Sequence, residues 1–329
     1  MKAAWFEEFG SAAEVLRLGE HPTPEAGPGE VRVRVAASGV NPVDVKRRQG
    51  GRGEMEAPRV IPHFDGAGEV DQVGDGVEGL REGDRVWFYE AQWGRPFGAA
   101  AEWVTLPASR ARPLPESTSA AEGAALGIPA LTAHRAVFGD GSVSGKTVLV
   151  TGGAGDVGRY AIQFAKLGGA RVISTVSGDA KGAIATGAGA DAVVNYRTEN
   201  VAGRLHELTD GVGVDRIVEV ELGGNLETSL AALATQGAIA AYASEGDPTP
   251  TLPFYAFLYK GVTLHHVIVF LMPEEAKLTA CNDIDRWLAE GRLTHLIGPT
   301  FPLDDIVTAH ETVEAGVVGK IVVEPSPGS

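Results

Sequence analysis

The chain has one cysteine, Cys281, in 329 residues. A single thiol forms no intrachain disulfide and cannot build a thiolate zinc cluster. Positive charge is also scarce: 28 Lys and Arg stand against 43 Asp and Glu, a formal net charge of -15. Nucleic acid and anionic membrane surfaces favour basic partners, so this acidity argues against both while leaving room for a local basic pocket. No apolar run reaches membrane-spanning length. The start of the chain, Met1-Lys2-Ala3-Ala4-Trp5-Phe6, lacks the apolar core of a secretion signal, so the expected compartment is the cytoplasm.

What is present is a chain long enough for about two domains with sizeable cores. Residues 1–122 read as mostly β. Val31-Arg32-Val33-Arg34-Val35 alternates apolar and charged, as a half-buried strand does. Gly66–Val70 and Asp84–Phe88 read as further short strands between turn signals such as Gly27-Pro28-Gly29 and Gly74-Asp75-Gly76. The texture then changes. Ala121–Phe138 is one Ala-rich helical stretch, and strands then alternate with helices. The strands are expected at Val148–Thr151, Arg171–Thr175, Asp191–Val194, Asp215–Val220, Ala238–Tyr242 and Val262–Phe270. The intervening helices are expected at Arg159–Leu167, Asp179–Ala185, Val201–Thr209 and Asn225–Ala232. This alternation predicts an α/β fold with a doubly wound parallel sheet. Glu274–Glu290 reads as an amphipathic helix, Ile321–Val323 as a last strand and Pro325–Ser329 as a frayed end.

A glycine triplet means little among 44 glycines, but its placement here is informative. Val148-Leu149-Val150-Thr151 runs into Gly153-x-Gly155-x-x-Gly158, and a helical run follows at once. A dinucleotide needs that order: a tight turn off a strand, backbone N–H groups close to the pyrophosphate, and a helix N-terminus aimed at it. Gly153, Ala154, Gly155, Asp156, Val157 and Gly158 are therefore the expected floor of a cofactor site. An NAD site usually places an acid at the end of the second strand, on the ribose 2′-hydroxyl. Here that place reads Ser174-Thr175-Val176-Ser177. Ser177, Lys181 one helical turn on, and Tyr196 on the adenine side suit a 2′-phosphate, so NADPH is the expected cofactor. Asp179 is expected to cap the helix that follows.

Gly39-Val40-Asn41-Pro42-Val43-Asp44, Gly127-Ile128-Pro129-Ala130-Leu131-Thr132-Ala133, the glycine loop, Ala309-His310-Glu311 and Gly319-Lys320 together resemble the zinc-independent quinone oxidoreductases. This is the zeta-crystallin-like branch of the medium-chain dehydrogenase/reductase superfamily, and the resemblance runs essentially end to end. It implies a GroES-like β-barrel domain over 1–122, completed by 292–329, and a Rossmann NADPH-binding domain over 123–291, with the cofactor across the cleft between them. It also implies a homodimer through the edge strand of the Rossmann sheet, at Val262–Phe270, an apolar edge that would need covering in any case. The resemblance places Asn41 and Thr132 at the nicotinamide. It adds Gly223, Tyr242, Ala243, Ser244, Val267, Ile268 and Val269 to the cofactor contacts, with Lys46 and Lys320 at the same site.

Zinc dehydrogenases of this superfamily carry Cys where this chain has Asn41, and Gly-His-Glu where it has His63-Phe64-Asp65. Asn41 and Phe64 cannot replace a thiolate and an imidazole, and catalytic zinc needs three protein ligands. No metal is expected, and His63 reads as a loop or wall residue. Without a Lewis acid, hydride transfer suits an acceptor that is already electron-poor, a quinone or activated enone. Asn41 is placed to donate a hydrogen bond to the acceptor oxygen, or else ties down the turn before Pro42. Asp44, grouped with Asn41 and Thr132 as the catalytic set, is expected to hold a helix start or the nicotinamide ring rather than to act as an acid. Asp156 and Lys46 depart from the resemblance, which has a small residue and often an aromatic one there. Trp93 and Phe97 are either replacement aromatic walls or barrel-packing anchors. A second reading is an enal, enone or enoyl-thioester reductase, for which Arg47, Arg48 and Arg52 are either a basic cluster for CoA or a solvated loop. A third is an NADPH-binding protein without catalysis.

Overall fold

The computed structural model describes residues 1–51 and 53–325. Arg52 and the tail beyond Pro325 lie outside the described residues. The chain divides into two units, Met1–Ile128 with Cys281–Ser329, and Pro129–Ala280.

The first unit opens with β1 (Lys2–Trp5), α1 (Ala12–Val15), β2 (Arg17–Glu20), β3 (Glu30–Val40) and α2 (Pro42–Arg48). β4 (Asp65–Val73), β5 (Arg85–Phe88), β6 (Trp103–Pro107), β7 (Ala111–Pro113) and α3 (Ala120–Ala124) follow. β3 is the organising strand. Its alternation puts Val31, Val33 and Val35 into a core with Val70, Val86, Phe88, Val104 and Leu106. It pairs antiparallel with both β4 and β6, which requires register shifts near Arg32 and Val35.

The second unit begins within α4 (Gly127–Phe138) and then alternates. It contains β8 (Thr147–Val150), α5 (Asp156–Leu167), β9 (Arg171–Val176), α6 (Asp179–Gly187), β10 (Ala192–Asn195) and α7 (Val201–Leu208). It continues with β11 (Val214–Glu219), α8 (Leu222–Ala232), β12 (Leu233–Ala241), α9 (Phe254–Lys260) and β13 (Thr263–His266), and ends within α10 (Glu274–Ala289). The six strands are all parallel, in the order β10-β9-β8-β11-β12-β13. Strand order reverses between β8 and β11, the switch point at which open parallel sheets bind their ligands.

The chain returns to the first unit through β14 (Ile297–Pro302), α11 (Ile306–Glu314) and β15 (Lys320–Glu324). β15 pairs antiparallel with the end of β3, matching Ile321 to Val40 and Val323 to Ser38. This pairing brings Lys320 beside the strand end that carries Asn41.

Two sequence expectations need correction. The single helix over Ala121–Phe138 is two helices, α3 and α4. Asp65 accepts the N–H of Ile128 at 2.9 Å and so starts a new helix there. The sixth strand is four residues, Thr263–His266, rather than the run Val262–Phe270. Its partner β12 ends at Ala241, opposite His266, so no ladder remains beyond. Val269–Leu271 instead forms a short 3-10 turn.

Candidate functional site

In the second unit the glycine loop closes between β8 and α5. Gly155 donates its N–H to Gly152 O at 3.0 Å, and Gly153 donates to Thr175 O at 3.2 Å. Gly155 is the N-cap of α5 and has no side-chain cap, so the first-turn N–H groups of that helix face outward without a covering hydroxyl or carboxamide. The packing leaves no room for side chains: a Cβ on Gly158 would lie 2.4 Å from Gly152 O, and one on Gly153 would lie 2.0 Å from Ser174 Oγ. A Cβ on Gly155 meets nothing nearer than 3.4 Å. A small, N–H-lined cradle at a helix start fits a pyrophosphate. Asp156 is the first residue of α5. Burial lowers the Arg159 pKa, while the nearby charges of Tyr160 and Asp156 raise it. Burial, with Glu219 and Asp156 nearby, pushes the Tyr242 phenol up. Asp156, Arg159 and Tyr242 therefore belong to one neighbourhood. Arg159, buried in α5, was missed by sequence reasoning because it sits on the face of an otherwise ordinary amphipathic helix.

Beneath the loop lies Glu219, fully buried at the end of β11. It accepts from Thr151 Oγ1, the Glu221 N–H and Asn225 Nδ2 on one oxygen, and from Ser229 Oγ on the other, each at 2.8 Å. Four donors satisfy a buried carboxylate that has no cation among these partners, and they fix the floor of the switch point. Gly223 donates to Ser244 Oγ at 2.9 Å, and a Cβ there would meet Asp247 O at 2.3 Å. The loop after β12 thus covers both residues, with Ala243 accepting the Leu222 N–H. Ser177 and Lys181 follow β9, and the Tyr196 N–H bonds Val176 O at 3.1 Å. This groups Ser177, Lys181 and Tyr196 at the ends of β9 and β10, with Lys181 exposed and the Tyr196 ring 52% exposed. Asp179 is not the cap expected for α6. Gly178 is the N-cap, and Asp179 is the exposed first residue of the helix. Val267 donates to Ala241 O at 2.8 Å, Val269 is buried, and Ile268 is 51% exposed. Thr132 is buried on α4.

In the first unit a side-chain network occupies the Asn41 position. Asn41 is 1% exposed. Its Nδ2 donates to Asp65 Oδ2 at 2.8 Å, and its Oδ1 accepts from Lys320 Nζ at 2.5 Å. Lys320 Nζ lies 4.0 Å from Asp65 Oδ2. The Asn41 N–H donates to Asp44 Oδ2 at 2.6 Å, which starts α2 as expected of Asp44. The Asn41 amide is therefore oriented by a carboxylate on one side and an ammonium on the other. Gly127 makes room for this: a Cβ there would fall 2.1 Å from Asp65 Oδ1. Burial pushes the Asp44 carboxyl up to about 7; Asp65 adds to the rise, and the Asn41 N–H and Lys320 oppose it. Burial also raises Asp65, against Lys320, the Ile128 N–H and the Asn41 amide. Lys46 lies half-buried on α2.

His63 lies in the loop before β4, the first of its two expected readings. It is fully buried, with φ 80, a left-handed backbone that costs a non-glycine residue of order 1–3 kcal/mol. Its Nδ1 lies 2.7 Å from Ser38 Oγ and its Nε2 lies 3.0 Å from His310 Nε2. Burial holds both imidazoles neutral. His310 drops to about 3 with Arg48 beside it, and His63 falls well below its ordinary value with His310 and Lys320 nearby. No group of three or more His, Cys, Asp or Glu among the described residues is arranged to hold a metal.

Of the basic cluster considered for CoA, the two described members, Arg47 and Arg48, are already paired. The Arg48 guanidinium is fully buried, bonded to Gly10 O and Glu314. Arg47 is paired with Glu56 and lies over the rings of Phe64 and Trp93, at 5.5 and 6.0 Å. Trp93 is therefore covered by a guanidinium rather than being an open wall. Phe97 packs edge-on against His21 at 4.9 Å. Arg52 lies outside the described residues.

With this geometry in view, the comparisons are consistent. Residues 27–116 match the alcohol dehydrogenase GroES-like domain, and residues 157–281 match the zinc-binding dehydrogenase family model. A quinone oxidoreductase of Rattus norvegicus is 30% identical over 333 residues, covering 98% of this chain and 97% of the relative. The chain belongs to the zinc-independent quinone oxidoreductase branch of the medium-chain dehydrogenase/reductase superfamily. The 2-methylene-furan-3-one reductase of Solanum lycopersicum is 30% identical, covering 99% of this chain and 80% of the relative. Among solved structures, an NAD-dependent alcohol dehydrogenase has TM-score 0.89 at 32% identity, covering 98% of this chain and 99% of its own. The Escherichia coli quinone oxidoreductase, complexed with NADPH, has TM-score 0.87 at 26% identity, covering 99% of this chain and all (100%) of its own. The family assignment establishes a GroES-like domain followed by a Rossmann domain, and an oxidoreductase. No helix among the described residues is long and apolar enough to cross a membrane.

Proposed function

We propose that the protein is an NADPH-dependent, zinc-independent quinone oxidoreductase acting on a quinone or similarly activated carbonyl acceptor in the cytoplasm. The observation that carries this reading is the Lys320–Asn41–Asp65 network. Where a zinc dehydrogenase of this superfamily would place a ligand, this chain has an amide clamped between an ammonium and a carboxylate. The reduced nicotinamide supplies hydride when bound. The chain's own groups bind and orient. The loop from Gly153 to Gly158 and the start of α5 take the pyrophosphate, with Glu219 and Thr151 holding the floor. Ser177, Lys181 and Tyr196 take the phosphorylated ribose and adenine end, and no acid follows β9 before Asp179. The clamped Asn41 amide keeps a second Nδ2 hydrogen for an acceptor oxygen, because Lys320 fixes its Oδ1 as the acceptor end. Thr132, Tyr242, Ala243, Ser244 and Val267–Val269 complete the reading of the nicotinamide side. The relative complexed with NADPH supports the cofactor choice.

NADPH oxidation with a panel of benzoquinones and naphthoquinones tests this reading. Turnover above the uncatalysed rate is expected. Bound cofactor without turnover on any quinone overturns it. A second reading, reduction of an activated C=C bond, is favoured by the tomato reductase. For a CoA thioester, Arg47 and Arg48 would first have to leave Glu56 and Glu314. A 2-alkenal that outpaces every quinone would promote it. A homodimer through the β13 edge is part of the proposal. Phe254, Tyr255, Leu258 and Tyr259 of the short helix before that strand are all exposed, and light scattering should give twice the chain mass.

A further inference from the structure

The buried network around Asn41 carries more acid than base. Asp44 and Asp65 face one ammonium, Lys320. Oδ1 of each carboxyl is buried without a hydrogen-bond partner, and two buried acceptors without donors are costly. One added proton removes the excess charge and with it the cost of burying a second ionised carboxylate beside one ammonium.

The geometry decides which carboxyl takes it. Asp65 receives the Ile128 N–H at the start of α4, the Asn41 amide and the nearby ammonium of Lys320. Helix start and cation both favour its ionised form, against the burial that raises it. Asp44 receives the Asn41 N–H on Oδ2, and its pKa sits near neutrality. The groups that bear on it are Asp65 from β4 and Lys320 from β15. From the α11 side, Glu314 is paired with Arg48, Glu311 lies near that guanidinium, and His310 and His63 are neutral.

We propose that Asp44 is the neutral acid of the working enzyme, a positioning residue whose proton leaves Lys320 matched to Asp65 alone and keeps the Asn41 amide clamped as a donor. Ionised Asp44 would compete with Asn41 for Lys320. It would also put a second negative charge beside the amide meant to meet an acceptor that gains negative charge. Its catalytic consequence rests on the reductase reading, but its protonation state does not.

Infrared difference spectroscopy of the full-length protein tests the protonation directly. Between pH 5.5 and 9 a carboxylic-acid C=O band should give way to carboxylate, and Asp44→Asn should abolish that change. A wild-type protein with no titrating carboxylic acid in this range overturns the proposal, whatever its activity. An unchanged band in Asp44→Asn overturns the assignment to Asp44. Quinone reduction adds the second readout: wild-type kcat should fall at least about tenfold from pH 6 to pH 9, while folded Asp44→Asn stays within about threefold. A parallel fall in both proteins overturns the positioning role. Absence of quinone turnover at every pH overturns the reductase reading and leaves the spectroscopic result standing.

Discussion

In the second unit the switch point is lined by backbone N–H groups from one run, Gly152–Gly158, resting on a carboxylate that takes four hydrogen bonds from nearby donors. In the first unit the corresponding chemistry is made by side chains drawn from β3, α2, β4, α11 and β15, and it retains unpartnered atoms on Asp44, Asp65, Arg48 and His310. The first arrangement is rigid because its donors are fixed by secondary structure. The second is a charge arrangement, sensitive to any group that changes its ionisation. A backbone site should therefore fail by steric intrusion, and a charge network by loss of a partner.

The largest effect expected is from Lys320→Met. It leaves the Asp65 charge buried without its cation, which should cost about 3–5 kcal/mol of stability; urea unfolding at neutral pH measures it. A loss near zero would mean that the network is not electrostatic. Next come Gly158→Ala and Gly155→Ala, compared by calorimetric titration with NADPH. The close approach to Gly152 O should make Gly158→Ala weaken binding by about 100-fold or more, and the open space at Gly155 should limit the other to roughly threefold. Equal effects would show that crowding is not what shapes the loop.

The third prediction sets pH against stability. Near pH 5 the two buried imidazoles are neutral when folded and protonated when unfolded, so unfolding takes up two protons. Asp44 works in the opposite direction, since the folded state keeps a proton that the unfolded chain has released. Over these three groups the net uptake of one proton makes stability rise with pH by about 1.4 kcal/mol per unit between roughly pH 4.5 and 6, and Asp65, also raised by burial, acts to flatten that rise. Removing the opposing group with Asp44→Asn should steepen this to about 2.7 kcal/mol per unit. Urea unfolding across that range checks both slopes, and an unchanged slope in the variant would remove Asp44 from the account. The smallest effect is Lys181→Ala. It should weaken NADPH about tenfold and NADH less than about twofold, and equal losses would move the phosphate site elsewhere.

The glycine loop and the parallel alternation were legible because each is a local pattern. A turn needs small residues at fixed spacing, and a buried parallel strand needs a continuous apolar run. Helix and strand ends were less legible. α4 begins at Gly127 because Asp65, far back in the chain, takes the N–H of Ile128, and β13 stops because β12 stops. His63 illustrates the same limit. Its sequence neighbours suggested a loop or wall position, and it does lie in a loop, but its partners Ser38 and His310 come from segments brought together only by β3, α11 and the loop before β4.

The amino-acid order alone specified a dinucleotide fold, because a strand, a glycine turn and a helix start depend on residue type at short range. Which polar groups became partners was settled only when β15 paired with β3. That pairing brought Lys320 to Asn41 and Asp65, and a buried charge acquires its chemistry from whatever lies within a few ångströms, however distant in sequence.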